Sequence, residues 1–269
     1  AMEDPNPQVS GRGIKALQEA GIDVSCGLLE PAARKLNQGF IQRMTSGKPF
    51  VRCKMAMSLD GRTAMKSGES QWITSPSARL DGQRLRAQSG AIITGIGTVI
   101  ADNPQMNVRD DAFIATGISQ PLRVILDSQL QIDPTSKILN LPSEALIAHV
   151  TDNMDKKAKL DSLGVTTVQI PGNNNQVDLS KLLNYLASNH DINDVLVEAG
   201  AQLAGAFLNL GLVDELTIYM APSLLGSDAR GLVALPGLKK LADKIEIAIT
   251  DIRPIGPDWR IIADCKKGY

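Results

Sequence analysis

The sequence contains few aromatic residues and carries almost no net charge. Aromatic residues make up 3% of its 269 positions, and 28 basic side chains are balanced by 29 acidic ones. A general nucleic-acid surface needs an excess of Lys and Arg, and single-stranded ligands usually stack on aromatic rings. Both shortages argue against nucleic acid as a partner.

Cysteine and histidine are also scarce. Cys26, Cys53 and Cys265 are widely spaced and form no Cys-x-x-Cys pair, and His149 and His190 lack a neighbouring ligand pattern. An odd number of dispersed cysteines is typical of the reducing cytoplasm and not of a disulfide scaffold. We therefore predict a cytoplasmic protein, no zinc in this chain, and structural roles for both histidines.

Long apolar runs are missing. The most apolar stretch, residues 91–101, is short and is interrupted by Gly95 and Gly97. A helix that spans a bilayer needs about 20 apolar residues, and the first residues do not have the pattern of a secretory signal peptide. We therefore expect no membrane partner.

Residue patterns divide the chain at a polar linker over 45–49. Before this linker we predict a helix over 13–20 that stops at Gly21, a strand over 22–24 and a second helix over 31–44. Such a fragment is too small to fold alone.

After the linker, strand and helix patterns alternate, which favours an α/β sheet with helices on both faces. The last two strands follow each other without a helix, so we expect an antiparallel edge. The predicted strands cover 50–57, 91–94, 122–126, 145–150, 165–170, 194–197, 215–220, 245–251 and 260–264. The predicted helices cover 76–88, 155–163, 178–188 and 201–210.

Two of these strands run into glycines just before a helical pattern. The first junction contains Gly95 and Gly97, and the second contains Gly200 and Gly205. Unobstructed N–H groups at a helix start bind anions, so phosphate or pyrophosphate is the natural ligand. Neither junction has the Gly-x-Gly-x-x-Gly spacing of a Rossmann fold, and a plain tight turn is the alternative at each.

Charged residues at strand ends and in loops are candidates for chemistry. Lys54 lies within an apolar strand, Glu198 ends another strand and Asp102 occupies a tight turn. Such groups could move a proton, although each could instead be ion-paired or solvated. Arg86 and Arg109 lie beside loops defined by Gly or Pro, and guanidinium groups match phosphate oxygens.

The segment from Lys54 to Thr74, KMAMSLDGRTAMKSGESQWIT, resembles the start of the reductase domain of the RibD family of bifunctional riboflavin-biosynthesis proteins. Further blocks resemble the same family in the same order: RLRAQS, GTVIADNP, VEAG and APSLLGSDARG. Residues 1–47 resemble the last part of the family's deaminase domain and lack its His-x-Glu zinc motif. The resemblance therefore implies a deaminase remnant over 1–47 and a reductase domain over 48–269.

The resemblance implies an α/β, dihydrofolate reductase-like fold with a twisted, mostly parallel central sheet flanked by helices. It also implies NADPH, a homodimer, and reduction of the ribosyl group of 5-amino-6-(5-phosphoribosylamino)uracil to a ribityl group. Hydride would pass from the nicotinamide to C1′ of the opened sugar, and a proton would complete the reduction. The parent protein would also be a zinc pyrimidine deaminase.

Residues that match the family's motifs are assigned to two ligands, as the resemblance implies. The substrate set is Lys54, Ser70, Arg86, Met106, Arg109 and Glu198, with both arginines on the 5-phosphate. The NADPH set is Ala56, Trp72, Thr98, Asp102, Ser128, Gly200, Ala201, Gln202, Leu203, Ala204, Gly205 and Ala206. Asn103 stands where the family frequently has Asp, so it receives no catalytic role.

Two other functions are compatible with the sequence. A related reductase could act on a pterin or folate, since one fold hosts many activities. Alternatively, the chain could be a nucleotide-binding module without catalysis. If the chain is the NADPH-dependent reductase, the candidates for the proton donor are Lys54, Asp102, Glu198 and a water molecule.

Overall fold

The computed structural model of the chain describes residues 2–265. These residues form two compact units, 2–50 with 183–194 and 51–182 with 195–265. The strands are β1 (Phe50–Ser58), β2 (Arg62–Ala64), β3 (Ala91–Gly95), β4 (Leu122–Leu126), β5 (Ala145–His149), β6 (Thr166–Gln169), β7 (Asp194–Val197), β8 (Glu215–Ala221), β9 (Arg230–Gly231), β10 (Ile247–Ile255) and β11 (Asp258–Cys265).

The α-helices in residues 2–265 are all short. None of them combines the length and the apolar character that crossing a membrane requires. They are α1 (Arg12–Glu19), α2 (Glu30–Leu36), α3 (Gln38–Ser46), α4 (Pro76–Ala87), α5 (Ile96–Asp102), α6 (Asp111–Ile114), α7 (Met154–Ser162), α8 (Leu179–Asn189) and α9 (Ala201–Asn209).

Nine strands form one sheet in the order β10-β11-β8-β1-β7-β3-β4-β5-β6. The pairs β1/β8, β3/β7, β3/β4, β4/β5 and β5/β6 are parallel. Strand β11 runs antiparallel to β8 and to β10, so the predicted antiparallel edge is confirmed. Every residue of β4 and β5 is buried, as expected for parallel strands covered on both faces.

Helix α4 is anchored at its start to the antiparallel edge of the sheet. Ser75 caps the helix, accepting a 3.4 Å hydrogen bond from the Ala78 N–H, and Pro76 occupies the first turn. The Ser75 N–H itself donates to the Asp258 carboxylate of β11 at 2.7 Å. Buried Ala78 and Leu85 mark the face that packs on the sheet, and the same helix carries Arg86.

Two local predictions are wrong, and three short elements were not predicted. Residues 22–24 form no strand, because the Ile22 N–H bonds the Leu17 carbonyl and closes helix α1 together with Gly21, which has a positive φ of 76°. The predicted helix over 31–44 is two helices, α2 and α3, separated at Asn37, whose φ of −117° and ψ of 24° are not helical. The short elements α6, β2 and β9 have no counterpart among the predictions.

Gly205 provides a test of packing in the second unit. A Cβ atom at Gly205 would lie 2.8 Å from the carbonyl carbon of Ala234 and closer still to its oxygen. We expect Gly205→Ala to lower the free energy of unfolding by about 1–3 kcal/mol, because backbone must move to admit the methyl group. Urea unfolding followed by circular dichroism measures this change.

Gly82 in α4 is the matched control for this substitution. It is also a buried helical glycine, but a Cβ there would have no neighbour within 4 Å. Gly82→Ala should leave stability unchanged or raise it by up to about 1 kcal/mol, since alanine restricts the unfolded chain. Equal effects of the two substitutions would contradict the close approach at Ala234.

Candidate active site

A buried ion pair joins helix α4 to the end of strand β7. Arg86 donates from Nε and Nη2 to the two carboxylate oxygens of Glu198, at 2.6 and 2.9 Å. Only 12% of the Arg86 side chain and 10% of the Glu198 side chain are exposed. The Glu198 backbone N–H donates to the Ile93 carbonyl at 3.0 Å, which fixes the acid between β7 and β3. This two-point geometry is the strong form of an ion pair.

Arg86 also organises the loop that follows α5. Its Nη1 donates to the Asn107 carbonyl at 3.0 Å, and its Nη2 lies 3.9 Å from the Met106 sulfur. Met106 is 5% exposed. The structure therefore brings together Arg86, Met106 and Glu198, three of the residues assigned to the substrate.

Lys54 of β1 completes a charged cluster around Glu198. Its Nζ lies 3.9 Å from the second Glu198 oxygen, and 23% of its side chain is exposed. Burial lowers the pKa of Lys54 and outweighs the opposing attraction of Glu198. Burial alone would raise the pKa of Glu198, but Arg86, Lys54 and Arg109 hold it at about 2. The acid is therefore ionised, and Lys54 holds its ammonium proton less strongly than an exposed lysine does.

Arg109 differs from Arg86 in what its guanidinium contacts. Its backbone N–H donates to the Gln83 side chain of α4 at 2.9 Å, which ties its loop to that helix. Within residues 2–265 its guanidinium makes no hydrogen bond or ion pair, and the side chain is exposed. Arg109 therefore has all its donors available for an anionic ligand, while four of the five Arg86 donors face protein acceptors, one of them the Met106 sulfur.

The two glycine junctions lie against each other. A Cβ atom at Gly95, at the end of β3, would be 3.3 Å from the side chain of Leu203 in α9. Helix α9 starts after Gly200 with no side-chain cap, so its first N–H groups have no side-chain acceptor there. Thr94 beside Gly95 is fully buried, and its Oγ1 has no hydrogen-bond partner among the described residues.

Other residues assigned to the cofactor lie at the ends of strands and helices. Thr98 and Asp102 belong to α5, which begins at the first glycine junction. The Ser128 carbonyl, just beyond β4, accepts hydrogen bonds from the N–H groups of Val150 and Thr151, at 3.1 Å each. The carboxylate of Asp102 is exposed and makes no hydrogen bond or ion pair within residues 2–265.

The segment between Lys54 and Trp72 contacts the loop after β8 through Asp60 and helix α4 through Trp72. Asp60 accepts hydrogen bonds from the Ser58 hydroxyl and from the N–H groups of Leu225 and Gly226, at 3.1 and 2.8 Å for the latter two. The Ser58 bond, with the two N–H bonds, lowers the pKa of Asp60 to about 2. Trp72 is 65% exposed, and its ring centre lies 4.5 Å from the Arg79 guanidinium carbon.

A second polar network, which the sequence analysis did not predict, lies beside the cluster. Asp81 of α4 accepts hydrogen bonds from Tyr219 of β8 at 2.7 Å and from Arg260 of β11 at 2.8 Å. Arg84 donates to the other Asp81 oxygen at 2.8 Å. The one available signal was Tyr219 between Ile218 and Met220 in a predicted strand, because a buried hydroxyl needs a partner.

Comparison with known proteins identifies the family. The model of the RibD C-terminal domain matches residues 49–261 of this chain. The chain belongs to the RibD reductase-domain family. It is 48% identical to riboflavin biosynthesis protein RibD of Escherichia coli over 266 residues, which cover 96% of this chain and 71% of that protein. RibD of Haemophilus influenzae is 45% identical over 269 residues, 97% of this chain and 70% of that protein.

Solved structures agree with this family assignment. Acinetobacter baumannii RibD superposes with a TM-score of 0.89 at 42% identity, over 99% of this chain and 72% of that one. A deaminase/reductase from Thermotoga maritima has a TM-score of 0.81 at 26% identity, over 98% and 70%. A riboflavin biosynthesis reductase from Saccharomyces, at 23% identity and a TM-score of 0.66, shares the fold over 89% and 99%. The predicted dihydrofolate reductase-like fold is confirmed, and the chain is an enzyme of the reduction step in riboflavin biosynthesis.

The depressed pKa of Glu198 in this RibD reductase domain predicts a specific pH dependence of stability. Its pKa is 4.5 ordinarily and about 2 in the folded protein. A carboxyl group of this kind stabilises the fold above its unfolded pKa and loses that contribution as pH falls through the folded pKa. The contribution is therefore complete above pH ~4.5, is lost by pH ~2, and amounts to roughly 3 kcal/mol.

Glu198→Gln tests this assignment. The amide leaves Arg86 and Lys54 without a counter-charge, so we expect a loss of about 3–5 kcal/mol at neutral pH. The difference in unfolding free energy between wild type and variant should shrink as pH falls from ~4.5 towards ~2. Urea unfolding at a series of pH values measures it, and a difference that stays constant with pH would contradict the ionised, paired state of Glu198.

Proposed function

We propose that this chain reduces the ribosyl group of 5-amino-6-(5-phosphoribosylamino)uracil to a ribityl group with NADPH as reductant. The observation that carries the proposal is the buried Lys54–Glu198–Arg86 cluster in a RibD reductase domain. The Thermotoga maritima relative is named as a 5-amino-6-(5-phosphoribosylamino)uracil reductase, which supports the same substrate here.

The charge of the cluster suits a phosphorylated substrate. One carboxylate, Glu198, faces three cations, Lys54, Arg86 and Arg109, whose charges all act on it. The surplus positive charge attracts a phosphate, and Arg109 has its whole guanidinium free to bind one. We assign the 5-phosphate mainly to Arg109, with the one remaining Arg86 donor beside it. Ser70 and Met106 complete the proposed substrate site.

The residues of the two glycine junctions fit a dinucleotide. The uncapped start of α9 and the unpartnered Thr94 hydroxyl offer donors and an acceptor to phosphate and ribose groups. In this proposal Gly200 to Ala206, Thr98, Asp102 and Ser128 hold NADPH, while Ala56 and Trp72 lie at its nicotinamide end. When bound, NADPH supplies the hydride.

Lys54 is the best-placed proton donor in the proposed reaction. Glu198 has a pKa of about 2 and has no proton to give at neutral pH. Arg86 does not deprotonate in proteins. Burial lowers the pKa of Lys54, which makes its ammonium a stronger acid. We therefore assign the proton that accompanies the hydride to Lys54, and we assign Glu198 the role of holding that ammonium in place.

Turnover of the proposed substrate tests the function directly. NADPH absorbance should fall only when 5-amino-6-(5-phosphoribosylamino)uracil is added, with the ribityl compound as product. Lys54→Met should lower kcat by about 100-fold or more, as for a lost general acid, and leave NADPH affinity unchanged. A folded wild-type sample that binds NADPH but does not oxidise it with this substrate, or that oxidises it with a pterin instead, would overturn the proposal.

The phosphate assignment has a test of its own. Arg109→Ala should raise KM for the phosphorylated substrate by a factor that corresponds to about 2–3 kcal/mol, because a charge-assisted contact is lost. The dephosphorylated substrate should show no such change, and Arg109→Lys should recover part of the loss. Lys159→Ala, which removes an exposed charge on α7, controls for net charge. Equal effects on both substrates would contradict the assignment.

We further propose the organisation of the whole protein. Residues 1–47 correspond to the last part of a deaminase domain and 48–269 to the reductase domain, and the protein acts as a homodimer in the cytoplasm. Exposed apolar side chains on the outer strands, Ile249, Ile252 and Trp259, support a protein partner at that edge of the sheet.

A further inference from the structure

Tyr219 lies beneath the Lys54 ammonium. The two residues are on neighbouring parallel strands, β1 and β8, where Ala56 pairs with Tyr219 and Lys54 with Thr217. Paired residues and those two positions away share a face of the sheet, so Lys54 and Tyr219 are on the same face. The Lys54 Nζ is 5.7 Å from the centre of the Tyr219 ring. This distance is within the range of a cation–π contact.

The Tyr219 ring is held in place by its hydroxyl. Tyr219 is fully buried, and its O–H donates to Asp81 at 2.7 Å. Burial and the Asp81 contact raise the pKa of Tyr219, so the hydroxyl stays a donor. Asp81 is fixed in turn by Arg84 and Arg260, at 2.8 Å each. Burial opposes ionisation of Asp81, but the bonds from Arg84, Tyr219 and Arg260 prevail and lower its pKa.

Simple packing does not need this network. A phenylalanine would fill the same volume without placing a hydroxyl, the Asp81 carboxylate and the Arg260 guanidinium in a region of low exposure, where each must be satisfied. Arg260 is 6% exposed, and its Nε has no partner among the described residues. The hydrogen bond to Asp81 anchors the hydroxyl end of the Tyr219 side chain, which keeps the ring beside Lys54.

The anchored Tyr219 ring limits where the flexible Lys54 side chain can place its ammonium group. Its side chain is a flexible four-carbon stem that ends in a point charge. Glu198 holds the ammonium from one side, at 3.9 Å. The other charged or titratable groups that act on it are Arg86 of α4 and Cys53 of its own strand. The electron-rich face of the ring supplies a second attraction and limits the positions of the ammonium.

We propose that Tyr219 is a positioning residue for Lys54, and that the Asp81–Arg84–Arg260 network anchors its hydroxyl so that the ring holds the Lys54 ammonium beside Glu198. This proposal rests on the proposed function only in giving the Lys54 ammonium a catalytic role. The contact itself is independent of any substrate. Loss of the ring removes an attraction that favours the charged amine, so it should lower the pKa of Lys54 further.

The test compares Tyr219→Leu and Tyr219→Met, which remove the ring, with Tyr219→Phe, which keeps it. The pKa of Lys54 is measured in the full chain from the pH dependence of acylation of its amine, followed by mass spectrometry. This measurement needs no substrate. We expect a fall of about half a unit to one unit in the Leu and Met variants and a smaller fall in the Phe variant. Circular dichroism identifies the variants that fold.

Kinetics separate a positioning role from a structural one. Tyr219→Leu should lower kcat by about 3- to 30-fold with the KM for NADPH unchanged. In a Lys54→Met background the same substitution should cost less than about twofold, because the two changes act on one interaction. An unchanged Lys54 pKa in a folded Leu or Met variant, an equal shift in the Phe variant, or an undiminished loss in the Lys54→Met background would each overturn the proposal.

Failure of the proposed function looks different from failure of this inference. A wild-type protein that does not turn over the phosphosugar pyrimidine, while the Lys54 pKa still falls in Tyr219→Leu, would refute the function and support the contact. Normal turnover by the wild type with no shift of the Lys54 pKa would refute the contact and leave the function standing.

Discussion

The buried ion pair between Arg86 and Glu198 is the interaction on which the candidate site depends. Desolvation of two charges is costly, and the two-point geometry at 2.6 and 2.9 Å offsets that cost only while both partners are present. The pair fixes α4 against the end of β7 and leaves the second Glu198 oxygen near Lys54. One carboxylate among several cations leaves a net positive region, which suits an anionic ligand.

Helix α4 connects this ion pair to the rest of the sheet. Its start bonds Asp258 of β11, Asp81 bonds Tyr219 of β8, and Arg86 bonds the acid at the end of β7. With β1, these strands are consecutive neighbours in the sheet. Helix α4 therefore bonds side chains from three of these four strands, and a site built on such regular elements is held more precisely than one built on loops.

The bounds of several strands could be predicted from the sequence, but the contacts between distant elements could not. The strands over 122–126 and 194–197 have the predicted bounds because buried apolar runs between turn residues are a local signal. The division at Asn37 is a single-residue change in φ and ψ inside a continuous helical pattern, which composition does not encode. Tyr219 and Asp81 are 138 positions apart in the chain, so their hydrogen bond follows from the order of the strands and not from any local pattern.

The same limit explains why the proton donor could not be chosen from the sequence. Lys54, Asp102 and Glu198 are equivalent candidates as residue types, and only their surroundings separate them. The three cations hold the pKa of Glu198 at about 2, Asp102 lies exposed at the end of α5, and burial lowers the pKa of Lys54. A phosphorylated substrate would add negative charge beside this cluster and raise the pKa of Lys54 again. Substrate binding would thereby keep Lys54 protonated until the proposed reduction consumes that proton, and the neutral amine would regain a proton from solvent before the next turnover.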